Sequence, residues 1–103
     1  MEMKNWLQSM VEESISTKQK LLSNHMDDIM NLSKICTESL KQGGKLIFCG
    51  NGGSSCDASH IAAELVVRYK SGNERKSIPA ISLTADSAVL TAHSNDYGYG
   101  SLF

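Results

Sequence analysis

The sequence lacks a paired cysteine framework: its three cysteines, Cys36, Cys49 and Cys56, form neither an even set nor a C-x-x-C pair. That excludes a disulfide-stapled secreted scaffold and makes a reduced, cytoplasmic setting the expectation. Charge of one sign is also missing. Before Gly44 stand five basic and six acidic residues, and after it five and five, for a formal net charge of -1. Neither half carries the basic excess that a nucleic-acid or membrane surface needs, so neither partner is expected. No apolar run approaches the roughly eighteen residues of a membrane span, and no uninterrupted signal-peptide core opens the chain. Internal repeats and low-complexity stretches are absent too. What is present is ordinary for a folded domain: 41% apolar and 20% charged residues over 103 positions, which argues against disorder.

The hydrophobic pattern divides the chain in two. Trp6, Leu7, Met10, Val11 and Ile15 recur at helical steps, and Leu21 and Leu22 continue the stripe. Ser23, Asn24 and His25 favour turns and caps, which predicts a break there. A second stripe runs through Met26, Ile29, Leu32, Cys36 and Leu40, with Asp27 and Asp28 placed where the helix dipole favours anions. Residues 1–42 are therefore expected to form a helical hairpin, ended by the left-handed conformation that Gly43 and Gly44 supply. The five methionines all lie in this part and serve best as helix packing. Two amphipathic helices there can also form an oligomer interface.

From residue 43 the period changes. Residues 45–49 read as a short strand buried on both faces, followed by Gly50, Asn51, Gly52, Gly53, Ser54 and Ser55. A helix is expected from Asp57, with Ala58, Ile61, Ala62, Leu65, Val66 and Tyr69 on its apolar face. Residues 70–77 are polar and read as a surface loop. Residues 78–83 read as a second strand with Pro79 near its start. Asp86 is placed to cap a short helix through about Ala92, and Asn95 and Asp96 then begin a turn-rich loop. Strand, glycine loop, helix, strand, helix opens a doubly wound α/β sheet. Two strands leave edges unpaired, so the expectation is the first part of a larger domain, truncated at the C-terminus.

The sharpest local signal is the glycine loop. Between a strand and a helix, glycines let backbone N–H groups approach a ligand, and the helix start favours anions or electron-rich oxygens. Asn51 and Ser54 add groups suited to hydroxyls. No Gly-Lys-Ser/Thr follows, so this is not a Walker loop, and Ser55 replaces the third glycine of a dinucleotide fingerprint. A tight turn with no ligand is the plainer alternative. His60 and Glu64, four residues apart, project from one side of the next helix. They can donate to a divalent metal, Glu64 can act as a general base, or the two can form a solvated pair. Asp57 is a possible partner for His60 or a helix-start acid. His25 and His93 have no catalytic neighbours in the sequence and are expected to be structural or exposed, and Cys56 is expected to be a small packing residue.

Taken together, these segments resemble the phosphoheptose (sedoheptulose-7-phosphate) isomerases of the sugar isomerase, or SIS, fold. The resemblance is carried by Gly43-Gly44-Lys45, Cys49-Gly50-Asn51-Gly52-Gly53-Ser54, Cys56-Asp57-Ala58, His60-Ile61-Ala62-Ala63-Glu64-Leu65, Arg68-Tyr69, Ile78-Pro79-Ala80-Ile81 and Asn95-Asp96-Tyr97-Gly98. It implies a SIS-type parallel sheet flanked by helices, of which residues 43–103 hold the first part with two strands. It implies that Asn51, Gly52, Gly53, Glu64, Asn95 and Asp96 bind substrate, that His60 and Glu64 ligate zinc, and that Glu64 is catalytic. The implied reaction turns sedoheptulose 7-phosphate, a phosphorylated seven-carbon sugar, into D-glycero-D-manno-heptose 7-phosphate for bacterial lipopolysaccharide or capsule. A homotetramer is implied as well. The family's later Ser-x-Ser-Gly-Asn-Ser phosphate loop and its late helix with Gln and His are not in this sequence. Little or no activity is therefore expected from the 103 residues alone. The alternatives are a non-enzymatic SIS-fold protein that binds the replication initiator DnaA, or a sugar-phosphate-sensing regulatory module. Glu64 favours the isomerase. A nucleotide-binding protein is weaker, because Ser55 stands where a glycine is needed.

Overall fold

A computed structural model describes residues 2–103. They divide into two compact units, one ending at Thr37 and one running Glu38–Phe103.

The first unit is helical. Helix α1 runs Met3–Lys41 and is broken only at His25, whose φ of -131° and ψ of 17° are non-helical. The break predicted at residues 23–25 is thus a kink at one residue and not a turn. Ser23 stays helical and its hydroxyl donates to the Gln19 carbonyl at 3.0 Å, a back-bond of the kind that bends helices. At the kink, His25 Nδ1 lies 3.0 Å from Asp28 Oδ2. The expected hairpin is therefore corrected to a kinked helix. Trp6, Leu7, Ile15, Leu22, Met26 and Ile29 all stay exposed, as side chains in a hairpin seam would not. At its C-terminus α1 ends as the glycines predict. Gly43 takes φ +83°, its N–H donates to Leu40, and that of Gly44 donates to Ser39 at 2.8 Å, the paired bonds of a Schellman motif.

The second unit holds the sheet. Strands β1 (Leu46–Phe48) and β2 (Ala80–Ser82) pair in parallel, with Leu46 opposite Ala80, Ile47 opposite Ile81 and Phe48 opposite Ser82. The crossover between them contains helix α2, Gly53–Val66, which packs on both strands. Ala58 and Ala62, 4% and 7% exposed, form the buried centre of the described residues. Their small side chains, four apart on one helix face, let the α2 backbone lie close to the sheet. Burial on both sheet faces, expected from the sequence, does not occur. Side chains alternate along a strand, so Ile47 and Ile81 project away from the neighbours that α2 covers and remain 56% and 46% exposed.

Three helix boundaries also differ from expectation. Helix α2 begins at Gly53 and not Asp57, because Ser54 and Ser55 N–H groups already bond Asn51 and Gly52 carbonyls at 3.0 Å. It ends before Tyr69, which is exposed. Helix α3, Ser87–Asp96, is capped as predicted: Asp86 Oδ1 accepts from the Val89 N–H at 3.1 Å. It runs a turn beyond Ala92, and a 3-10 turn at Tyr99–Ser101 follows.

Candidate functional site

The site is built around the carboxyl end of β1, where the chain turns through Gly50, Asn51 and Gly52 into α2. Each glycine has its own reason. A Cβ on Gly50 would sit 2.5 Å from the Ser54 carbonyl oxygen, so the loop closes only with hydrogen at that position. Gly52 has φ 56° and ψ -123°, a combination that side chains disfavour. Gly53 has open space where a Cβ would go, which leaves room for a ligand at the first turn of α2. The Ser55 hydroxyl donates to the Gly52 carbonyl at 2.6 Å and holds the turn.

Helix α2 carries the next pair. One helical turn places His60 Nε2 2.9 Å from Glu64 Oε1. The His60 side chain is 73% exposed and that of Glu64 34%, so both can be reached from outside. Imidazole nitrogen and carboxylate oxygen suit a divalent ion such as zinc, and the pair offers two of the four donors that zinc commonly takes. Among the described residues no group of three or more His, Cys, Asp or Glu converges. The donor set fits the ion in chemistry and is half of one in number.

Asn95 and Asp96 lie in the last turn of α3, where Asn95 Nδ2 donates to Asp96 Oδ1 at 3.1 Å. Among the described residues, no hydrogen bond joins them to His60 or Glu64, nor Asp57 to His60. The structure therefore brings together the His60–Glu64 pair and the Asn95–Asp96 pair, each locally. Asn51 is joined to a residue the sequence did not single out: the Tyr99 hydroxyl donates to Asn51 Oδ1. His93, expected to be structural, bonds Ser101 through Nε2 at 2.9 Å, and its ring lies 5.3 Å from that of Tyr97.

Two further groups escaped the sequence reading. Ser82 and Thr84, at the carboxyl end of β2, share a 2.8 Å hydroxyl bond. Ser59 of α2 lies 3.2 Å from Ser82, and Thr84 donates to the Ser55 carbonyl at 3.3 Å. This cluster ties the end of β2 to the first turns of α2. Arg75, in the loop read as merely polar, donates to the Glu64 and Leu65 carbonyls at 2.7 and 2.9 Å. It thereby satisfies the C-terminal end of the helix that carries Glu64. Isolated hydroxyls and one loop arginine have no sequence period, so nothing local marked either group.

Comparison with known proteins identifies the family and the fold. A family model for the SIS domain matches residues 10–103. The phosphoheptose isomerase of Leptospira biflexa is 60% identical over 103 residues, which cover 100% of this chain and 53% of that protein. That of Roseiflexus is 45% identical over 98 residues, covering 95% and 49%. The solved phosphoheptose isomerase of Francisella tularensis superposes with a TM-score of 0.90 at 34% identity, over 100% of this chain and 53% of that one. The Neisseria gonorrhoeae structure gives 0.83 at 32% identity, over 97% and 50%. The chain thus spans about half the length of the curated relatives it matches. Parallel strands joined through α2, the glycine loop at the carboxyl edge and a family match over most of the sequence converge: the chain belongs to the SIS domain family.

Proposed function

We propose that this chain supplies the glycine loop and the proton-transfer carboxylate of a phosphosugar aldose–ketose isomerase. The reaction we assign converts sedoheptulose 7-phosphate to D-glycero-D-manno-heptose 7-phosphate, for bacterial heptose-containing glycans. The observation that carries the proposal is Glu64. Its carboxylate is reachable, stands one turn from an imidazole, and lies on the helix that the glycine loop starts. The relatives named phosphoheptose isomerase support the substrate class.

The chemistry moves one proton between adjacent carbons and one between their oxygens. Glu64 removes a proton from the carbon beside the ketose carbonyl, an enediol forms, and the carboxylic acid returns the proton to the former carbonyl carbon. The hydroxyl on the first carbon passes its proton to the former carbonyl oxygen, so that the first carbon becomes the aldehyde and the second a hydroxyl-bearing carbon. Asn51 and the open backbone at Gly52 and Gly53 hold sugar oxygens, and Asn95 and Asp96 contact substrate. His60 and Glu64 would hold a zinc ion, which when bound polarises the sugar carbonyl. With two donors in place, the 103 residues alone are expected to turn over little or no substrate.

The test joins this chain to the part of the Leptospira biflexa relative that lies beyond the matched 53%. The hybrid is expected to form the aldose phosphate from sedoheptulose 7-phosphate, detected by product analysis. Binding of the ketose without conversion would instead favour a sensing module. We further propose a cytoplasmic homotetramer, which light scattering of the same hybrid measures; a monomer would remove that part. No helix of the described residues is long and apolar enough to cross a membrane.

A further inference from the structure

We propose that Tyr99 is a positioning residue that fixes which end of the Asn51 side chain meets the ligand. The inference rests on the reading of Asn51 as a substrate contact.

An asparagine amide has a carbonyl oxygen that accepts and an NH2 that donates, and a half-turn about its last bond exchanges them. In the structure the Tyr99 hydroxyl donates to Asn51 Oδ1, although 48 residues separate the two. The oxygen is occupied, and among the described residues Nδ2 donates to nothing. Asn51 therefore presents two N–H donors, which suits a hydroxyl, carbonyl or phosphate oxygen and not a ligand donor.

Tyr99 can do this because its own backbone is held. It opens the 3-10 turn, where the Leu102 N–H bonds its carbonyl at 3.1 Å. The neighbouring Ser101 hydroxyl is bonded to His93 of α3 at 2.9 Å. The turn after α3 is thus anchored on one side to that helix and on the other to the glycine loop. A tyrosine has few torsions to freeze, so the bond costs little ordering. The same link carries the Asn95–Asp96 end of α3 toward the loop with which it is proposed to share a substrate.

Two measurements test this. In nitrogen-15 NMR of the chain, the Asn51 side-chain NH2 signals, identified by their loss in Asn51→Ala, are expected to move in Tyr99→Phe. Signals that stay in place overturn the proposal. In the hybrid enzyme, Asn51→Ala, Tyr99→Phe and the double variant are compared for KM and kcat with sedoheptulose 7-phosphate. Loss of one orienting hydrogen bond is expected to raise KM about two- to tenfold, with kcat little changed. Tyr99→Phe is expected to add nothing once Asn51 is alanine. If Asn51→Ala raises KM and Tyr99→Phe does not, or if the two effects add, the positioning role is wrong. If Asn51→Ala itself leaves KM unchanged, Asn51 is not a substrate contact, and it is the underlying reading that fails.

Discussion

Three glycines within four residues offer a graded perturbation of the loop. Alanine at Gly50 places a Cβ 2.5 Å from the Ser54 carbonyl oxygen and 2.6 Å from its carbon, both backbone atoms of α2 that cannot move alone. Alanine at Gly52 meets no atom within 4 Å, but φ 56° with ψ -123° is strained for any side chain. That strain is worth about 1–3 kcal/mol. Alanine at Gly53 also meets nothing and takes the first position of α2, where restricting the unfolded chain stabilises by about 0.4–1 kcal/mol. For a unit of this size each kcal/mol moves the midpoint by about 4–8 °C. Gly52→Ala is then expected to lower the melting temperature by roughly 5–20 °C, and Gly53→Ala to raise it by a few degrees. Gly50→Ala is expected to lose the β1–α2 packing outright. The assay is thermal unfolding followed by the methyl NMR signals of Ala58 and Ala62, the two buried residues, so that α1 does not dominate the readout. Gly52→Asn should not rescue, because this conformation is not the left-handed helical one that asparagine tolerates. Equal midpoints for Gly52→Ala and Gly53→Ala, or a neutral Gly50→Ala, would refute the reasoning.

Arg75→Ala removes the guanidinium donor to the Glu64 carbonyl and one of two to Leu65, which keeps the Ile78 N–H, and is expected to cost about 2 kcal/mol, measured by urea denaturation with the same methyl probes. Arg75→Lys should recover less than half, since an ammonium lacks the planar fork; full recovery would count against the capping role. Asp86→Ala, which deletes the bond to the Val89 N–H, is expected to cost about 1 kcal/mol, with Asp86→Ser restoring most of it. In the hybrid, His60→Ala should weaken zinc binding at least about tenfold by calorimetry, as even outer partners of metal ligands cost that much. Unchanged affinity would remove His60 from the donor set.

Local rules carried well where a residue acts on its own neighbourhood. Gly43 and Gly44 close α1, Asp86 caps α3, and the i, i+4 spacing of His60 and Glu64 brings their side chains to 2.9 Å. Features that depend on distant residues were not legible. Nothing near Asn51 in sequence points to Tyr99, and Arg75 gives no sign that it closes the helix bearing Glu64. The hairpin was overread because stripe and turn preference look alike whether the chain folds back or only kinks, and the non-helical backbone is confined to His25. Strands β1 and β2 have the composition of doubly buried strands, yet α2 covers only one face, leaving Ile47 and Ile81 exposed. The family pattern, by contrast, lay in the sequence itself, because several short motifs stood in order at the right spacing, and the SIS domain match covers the same stretch.

The central claim is that Glu64 moves the proton. The measurement that tests it most directly is turnover of sedoheptulose 7-phosphate by the hybrid enzyme carrying Glu64→Gln, with the fold checked by circular dichroism. Glutamine keeps the shape of the side chain and cannot accept the proton, so a loss of about 10²- to 10⁴-fold in kcat is expected on an intact fold. A Glu64→Gln enzyme that turns over as fast as its parent would contradict the account.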